Sequence, residues 1–293
     1  MQQDSAQPLN IKDTIHRYWL EHSGKRIAYG LGGGYLGSKV ADKEEYTEKM
    51  RTLEMAYALG FRYIDTAQAY HHSESTIGAF LPSIPRQSIF LATKFHLPKT
   101  GSPAETVEFA KVCLAESLKK LHTDYLDLYQ VHDSDNLELA FMKEGILNFL
   151  LAAKAQGIIR HIGIGLRSHA VLEQALRHGG FETILTYMDF NPFTQKASKV
   201  ISLANHLGAG VIQGSPLAGA HYHKLPLADP RILSANLHYP LNNPLIDITL
   251  TGPSNRQEVQ ANFQALLAEP DTRLWEAWKA PEFEIKQTAR YWW

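Results

Sequence analysis

Short apolar runs of β character recur along the chain at regular intervals, and this alternation constrains the fold more than any other feature. The runs are "IAYGLGG", "FRYIDT", "SIFLATKF", "DYLDLYQVH", "IRHIGIG", "ETILTYM", "GAGVIQG" and "IDITLTG". Between most of them lie longer stretches with helical periodicity. In "KEEYTEKMRTLEMAYALG", Met50, Leu53 and Tyr57 recur at three- and four-residue spacing, and Gly60 ends the pattern. "PAETVEFAKVCLAESLKKLH" repeats it, with Pro103 near its start, where a helix needs no N–H donor. "LELAFMKEGILNFLLAAKAQG" follows and ends at Gly157. Strands alternating with helices predict a parallel sheet. Eight such strands without a linker-like segment predict one α/β domain over residues 1–293, a (β/α)8 TIM barrel. A doubly wound open sheet is the alternative that strand counting leaves open. Residues 1–27 read as an N-terminal extension and hairpin turning at Ser23 and Gly24, and residues 270–293 as a C-terminal tail.

Composition narrows the partners. The formal net charge of -1 gives no electrostatic case for nucleic acid or a membrane surface. No apolar stretch approaches the ~20 residues that span a bilayer. "MQQDSAQPLNIKD" lacks the apolar centre of a signal peptide, so a cytoplasmic protein is expected, as a monomer or small homo-oligomer. Cys113 is the only cysteine, which rules out an intrachain disulfide and zinc-finger spacing. Inside "EFAKVCLAESL" it reads as a small buried hydrophobe. His71 and His72 are adjacent, so neither a helix nor a strand points them together, and no metal site is expected.

Barrel chemistry sits at the C-terminal ends of the strands. The second run ends in Asp65, with Tyr70 in the loop after it; the third ends near Lys94 and the fourth at His132. An acid closing a core strand is costly unless its charge is needed there. Each of these residues alone reads more simply as a cap, a surface charge or a satisfied core group. At consecutive strand ends they predict one convergent patch. Lys94 would lower the phenol pKa of Tyr70, which could then carry a proton, and His132 would hydrogen-bond a substrate oxygen. Such a set moves a proton to or from a carbonyl or alcohol. Combined with a nicotinamide cofactor it performs hydride transfer.

These residues carry a family resemblance. "GFRYIDTAQAY" resembles the G-x-R-x-x-D-T-A-x-x-Y stretch of the aldo-keto reductase signature, and "LATKF" and "DYLDLYQVHD" resemble that family's lysine and histidine strands. The likeness runs from about Tyr29 to Asn262. It implies a TIM barrel and an NAD(P) cofactor. It implies further that Tyr70 is the general acid in reduction and the base in oxidation, that Lys94 and Asp65 tune it, and that His132 orients the carbonyl. "HDSDN", "IGIG" and "RLWEAWKAPEF" resemble the branch of aldose dehydrogenases that oxidise L-fucose, L-galactose or D-threo-aldoses, with a pyridoxal dehydrogenase as a relative. The substrate implied is a sugar or small carbonyl. A non-catalytic, cofactor-binding regulatory barrel is the competing class.

The cofactor positions depart from the family. Gly165 and Leu166 stand where a Ser and an Asn hold the nicotinamide amide, leaving Arg167 and Ser168 as substitutes. Tyr187 replaces a common Gln, and Gly214 replaces the ring that stacks on the nicotinamide, although Ser215, Pro216 and Leu217 are kept. The segment between Ala220 and Ile246 is short for the family, so a reduced seventh helix region is expected. Gly33 and Gly34 would let the backbone approach the cofactor, with Tyr35 in the substrate wall. In "LTGPSNRQEVQANFQ", Ser254 and Asn255 open a helix whose free N–H groups suit phosphate, and Asn262 would touch the adenine. Alignment on Asn262 puts Gly252 and Glu258 where NADP users place Lys and Arg, which favours NAD; Arg256 is the counterweight. Asp133 and Asp135 are placed to hold sugar hydroxyls.

Overall fold

The computed structural model describes residues 29–39, 41–134 and 137–280. The expected N-terminal hairpin, Asp135 and the end of the C-terminal tail lie outside them. The sheet is a closed parallel barrel of β1 (Tyr29–Gly32), β2 (Tyr63–Asp65), β3 (Phe90–His96), β4 (Leu126–His132), β5 (Ile159–Gly165), β6 (Thr183–Tyr187), β7 (Gly210–Gly214) and β8 (Ile248–Thr251). β1 pairs with β8, Tyr29 opposite Thr249, and this closure excludes the open sheet. The longer helices between strands are α1 (Lys43–Ala58), α2 (Ser73–Phe80), α3 (Pro103–Lys120), α4 (Ile146–Ala155), α5 (His169–His178), α6 (Ser198–His206), α7 (Pro230–Leu241) and, after β8, α8 (Arg256–Leu267).

Local chemistry starts and stops α1 and α3 as the sequence requires. Ser102 and Glu105 form a reciprocal capping box at the start of α3, with Pro103 in its first turn and Lys119 and Lys120 in its last. Asp42 accepts from the Glu45 N–H to cap α1, and Gly60 follows that helix at φ 98°. The stretch between β7 and β8 holds a short helix, Ala218–Tyr222, and then the 12 residues of α7. Cys113 is buried on α3, where burial pushes its thiol up to about 11, so it stays an unreactive thiol.

The barrel core is apolar and aromatic. Tyr29, Tyr63 and Tyr129 are buried, with Tyr63 stacked on Phe90 (5.2 Å) and Tyr129 on Phe95 (4.9 Å). At the bottom, Asp127 accepts from the Leu91 N–H (2.9 Å) and pairs with Arg86 (2.8 Å) and Arg160 (2.7 Å), whose guanidinium groups both stack on Tyr125.

α2 meets the end of α3 with no room to spare. A Cβ on Gly78 would lie 1.9 Å from the Lys120 carbonyl oxygen and 2.8 Å from Leu121 Cα, both backbone atoms. Gly78→Ala is therefore expected to cost at least the roughly 1–3 kcal/mol of an overpacked core. Chemical denaturation checks this; an unchanged midpoint would mean that α2 shifts freely.

Candidate active site

The barrel register steps three strand ends along the rim, Lys94 two places beyond the partner of Asp65 and His132 two places beyond the partner of Lys94. Gly32 pairs with Asp65, Asp65 with Ala92, Lys94 with Gln130, and His132 with Gly165. Lys94 is 1% exposed and Asp65 is 2% exposed, so neither charge could persist there unpaired. Lys94 Nζ donates to Asp65 Oδ1 and to the Thr66 carbonyl (2.8 Å), and Gln130 Nε2 donates to Asp65 Oδ2 (3.0 Å). Burial pushes the Asp65 carboxyl up, against the pull of Lys94 and Gln130. Burial also works against the Lys94 ammonium, but Asp65 and Tyr70 outweigh it and hold the lysine above its ordinary value. Lys94 therefore stays a cation.

Tyr70 lies over this pair. Lys94 Nζ is 4.9 Å from the centre of its ring, and the ring meets His132 edge-on at 5.5 Å. The structure corrects one expectation here. Lys94 does pull the phenol down, but burial outweighs it, and Asp65 and Asp133 add to burial, so the Tyr70 pKa is raised. A neighbouring cation alone does not set a phenol's pKa once the ring is taken out of water.

His132 is buried, and burial together with the Lys94 charge and His96 pushes its imidazole down to about 2. It is thus neutral and carries one ring proton. Its Nδ1 is buried without a hydrogen-bond partner, and its Nε2 lies 3.4 Å from Asp133 Oδ2. His96, at the end of β3, stacks on it at 4.8 Å and donates from Nδ1 to its carbonyl (3.1 Å). Asp65, Tyr70, Lys94 and His132 thus surround one point on the rim. Sequence reasoning missed Gln130, which the two-residue period of β4 puts on the same strand face as His132. It also missed the tie between Tyr187, at the end of β6, and Asp133, whose Oδ1 accepts from the tyrosine hydroxyl (3.0 Å).

A cavity of about 950 Å³ opens beside this rim. Of the residues expected to hold a cofactor, Ser215, Leu217, Gly252, Ser254, Glu258 and Asn262 line it. Asn255 does not; it caps α8, accepting from the Glu258 N–H (2.9 Å). Gly34 faces open space, whereas Gly33 is glycine for another reason. A Cβ on Gly33 would meet Ser73 Oγ at 2.8 Å and the Asp65 carbonyl at 2.9 Å, so its missing side chain makes room for α2 and β2 rather than for a ligand. Tyr35, expected in the substrate wall, lines this cavity, and a Cβ on Gly252 would meet its ring at 3.1 Å.

The departures from the family after β5 and β7 have structural answers. Leu166 is buried in the core, and Arg167 is bound to Asp189 through Nε (3.0 Å) and a terminal nitrogen (3.1 Å). Gly214 pairs with Tyr187 across β6 and β7, and a Cβ on Gly214 would touch Tyr187 Cβ at 3.3 Å. The ring missing from β7 therefore has an aromatic neighbour one strand away.

Comparison with known proteins settles the family. The model of the aldo/keto reductase family matches residues 28–236. The chain belongs to the aldo-keto reductase family. It is an oxidoreductase. The chain is 32% identical to methylglyoxal reductase DkgB of Escherichia coli O157:H7 over 195 residues, covering 65% of this chain and 67% of that one. It is 27% identical to L-galactose dehydrogenase of Arabidopsis thaliana, over 84% of this chain and 86% of the relative. It is 24% identical to D-threo-aldose 1-dehydrogenase of a Pseudomonas species, over 85% and 91%. Among solved structures, the holo form of aldo-keto reductase AKR11C1 from Bacillus halodurans superposes with a TM-score of 0.67 at 24% identity, covering 92% of this chain and 95% of that one, a likeness of fold.

Proposed function

We propose that this aldo-keto reductase oxidises an aldose at its anomeric carbon to the lactone, with NAD as cofactor. The observation that carries the reading is the cluster of Asp65, Tyr70, Lys94 and His132 around one rim position beside a cavity able to take a dinucleotide. A nicotinamide bound along that cavity would take or supply the hydride. Tyr70 holds the proton at the reacting oxygen. Lys94 keeps a fixed positive charge against the phenol, and Asp65 with Gln130 keeps Lys94 in place. The neutral His132 offers its N–H to the same oxygen.

Polar groups at the mouth support a hydroxylated substrate, since a hydrophilic ligand needs polar anchors in its cleft. Asp133, Tyr187 and His96 stand there. Two aldose dehydrogenases match this chain over most of its length, which supports the same class. Reduction of a small carbonyl is the second reading, favoured by the likeness to methylglyoxal reductase. A panel of aldoses and small aldehydes, run in both directions and followed by reduced-nicotinamide absorbance, separates the two. Turnover of aldehydes without any aldose would select the second.

The preference for NAD rests on Glu258 and Arg256. Glu258 accepts from the Ser254 N–H through Oε2 (2.7 Å) and from the Ser254 hydroxyl through Oε1 (3.1 Å). A carboxylate thus already occupies the donors that a 2′-phosphate would need. Arg256, the candidate counter-charge, is tied to Glu48 on α1 through Nε (3.1 Å) and a terminal nitrogen (3.0 Å), and it does not line the cavity. The wild-type chain is expected to show the higher kcat/KM with NAD. Glu258→Arg is expected to shift the ratio towards NADP by roughly 10- to 100-fold, the weight of one charge-assisted bond. An unchanged ratio would show that this side chain does not face the adenosine ribose.

A further inference from the structure

Asp133 is built into the rim in an unusual way. Its φ is 38°, in the left-handed region that Asp tolerates better than most residues, and its N–H donates to the Gly165 carbonyl (3.0 Å). β4 therefore turns sharply just after His132, and the carboxylate is brought back across the strand ends. β5 stands between β4 and β6 and ends in Gly165. Tyr187 reaches over from β6 and donates to Oδ1 at 3.0 Å, while Oδ2 lies 3.4 Å from His132 Nε2.

This placement bears on His132 directly. The ring is neutral, and only one of its nitrogens faces a carboxylate. The carboxylate favours the tautomer with the proton on Nε2, the nitrogen at the mouth. A substrate oxygen arriving there takes that N–H, and Asp133 Oδ2 gives up its share of it. The separation of Nε2 and Oδ2 suits two oxygens on neighbouring carbons. One accepts from the imidazole, and the other donates its hydroxyl proton to the carboxylate. A substrate without the second hydroxyl makes no such bond to Oδ2.

We propose that Asp133, held by Tyr187, is the specificity-determining residue that selects substrates with a hydroxyl on the carbon next to the reacting carbon. The inference deepens the reading of this site as a hydride-transfer centre, and it names the substrate class as 2-hydroxy carbonyls and the lactols they form. Asp133 touches the substrate; Tyr187 is a positioning residue that acts through it.

The test compares a 2-hydroxyaldehyde with the same aldehyde lacking the hydroxyl, both reduced with NADH. Asp133→Gly removes the carboxylate and accepts the left-handed φ without strain. The wild-type kcat/KM should favour the hydroxyaldehyde by roughly 10- to 100-fold, the weight of one charge-assisted hydrogen bond. Asp133→Gly should bring the ratio close to one, and Tyr187→Phe should lower it part of the way. Both substrates report on the same folded fraction, so partial misfolding cancels in the ratio. A wild-type ratio near one overturns the proposal, as does a ratio that survives in Asp133→Gly. Failure to oxidise any aldose counts against the aldose reading alone, because the aldehyde pair still reads Asp133. An enzyme that turns over neither aldehyde overturns both.

Discussion

Tyr70→Phe is expected to lower turnover by about 100- to 10,000-fold, the usual contribution of a positioned acid–base group, with cofactor affinity close to wild type. The substitution keeps the ring against His132 and over Lys94 and removes only the hydroxyl. Cofactor affinity is read by equilibrium binding, separately from turnover. The pH dependence gives a second check. As the base in oxidation, Tyr70 must first lose its proton, and its pKa is raised above the ordinary phenol value by burial. The reactive fraction therefore grows as pH rises through the neutral range, and oxidation should accelerate with it. Reduction uses the protonated phenol, which is fully available below that raised pKa. His132, neutral down to about 2, adds no limb near neutrality to either profile. Unchanged turnover in Tyr70→Phe, or an oxidation rate that levels off below neutral pH, would remove Tyr70 from the proton-carrying role.

Lys94→Met should damage both stability and turnover. The ammonium it removes compensates an Asp65 that is 2% exposed. Breaking one side of a buried pair typically costs about 3–5 kcal/mol. Asp65 would then keep only the Gln130 bond, and its pKa would rise further. A carboxyl whose folded pKa is raised contributes stability that is fully present below its unfolded value of about 3.9 and is lost as pH climbs through the folded value. The variant should therefore be most stable in acid and weaken towards neutral pH. Denaturation midpoints across pH measure this. Adding Asp65→Asn should restore much of the stability and none of the turnover, because the phenol still lacks its cation. Stability that does not depend on pH in Lys94→Met would mean that Asp65 finds another partner.

The strand ends that carry Asp65, Lys94 and His132 were legible because a strand has a two-residue period and a barrel puts its loops at one end. The capping box at Ser102 and Glu105 and the stop at Gly60 were legible for a similar reason: each is a short-range bond or backbone requirement written in neighbouring residues. The tie between Tyr187 and Asp133 was not legible. It joins residues 54 apart in sequence, and it forms only because the closed sheet places β4 and β6 on either side of Gly165. The tethering of Arg256 to Glu48, 208 positions earlier, is of the same kind.

The sequence by itself determined the order of strands and helices, the family, and which ionisable residues stand at the strand ends. Only the tertiary structure decided the electrostatics of those residues. Burial moves Asp65, Tyr70 and His132, the charges of Asp65 and Tyr70 hold Lys94 up against burial, and burial is a property of the closed barrel. Gly33 shows the same division. As a letter it invites a ligand, but in the fold Ser73 Oγ and the Asp65 carbonyl fill the space its side chain would need. Periodicity and capping act over a few neighbouring residues and can be read along the chain. Distances across a barrel follow from its closure, which no local stretch contains.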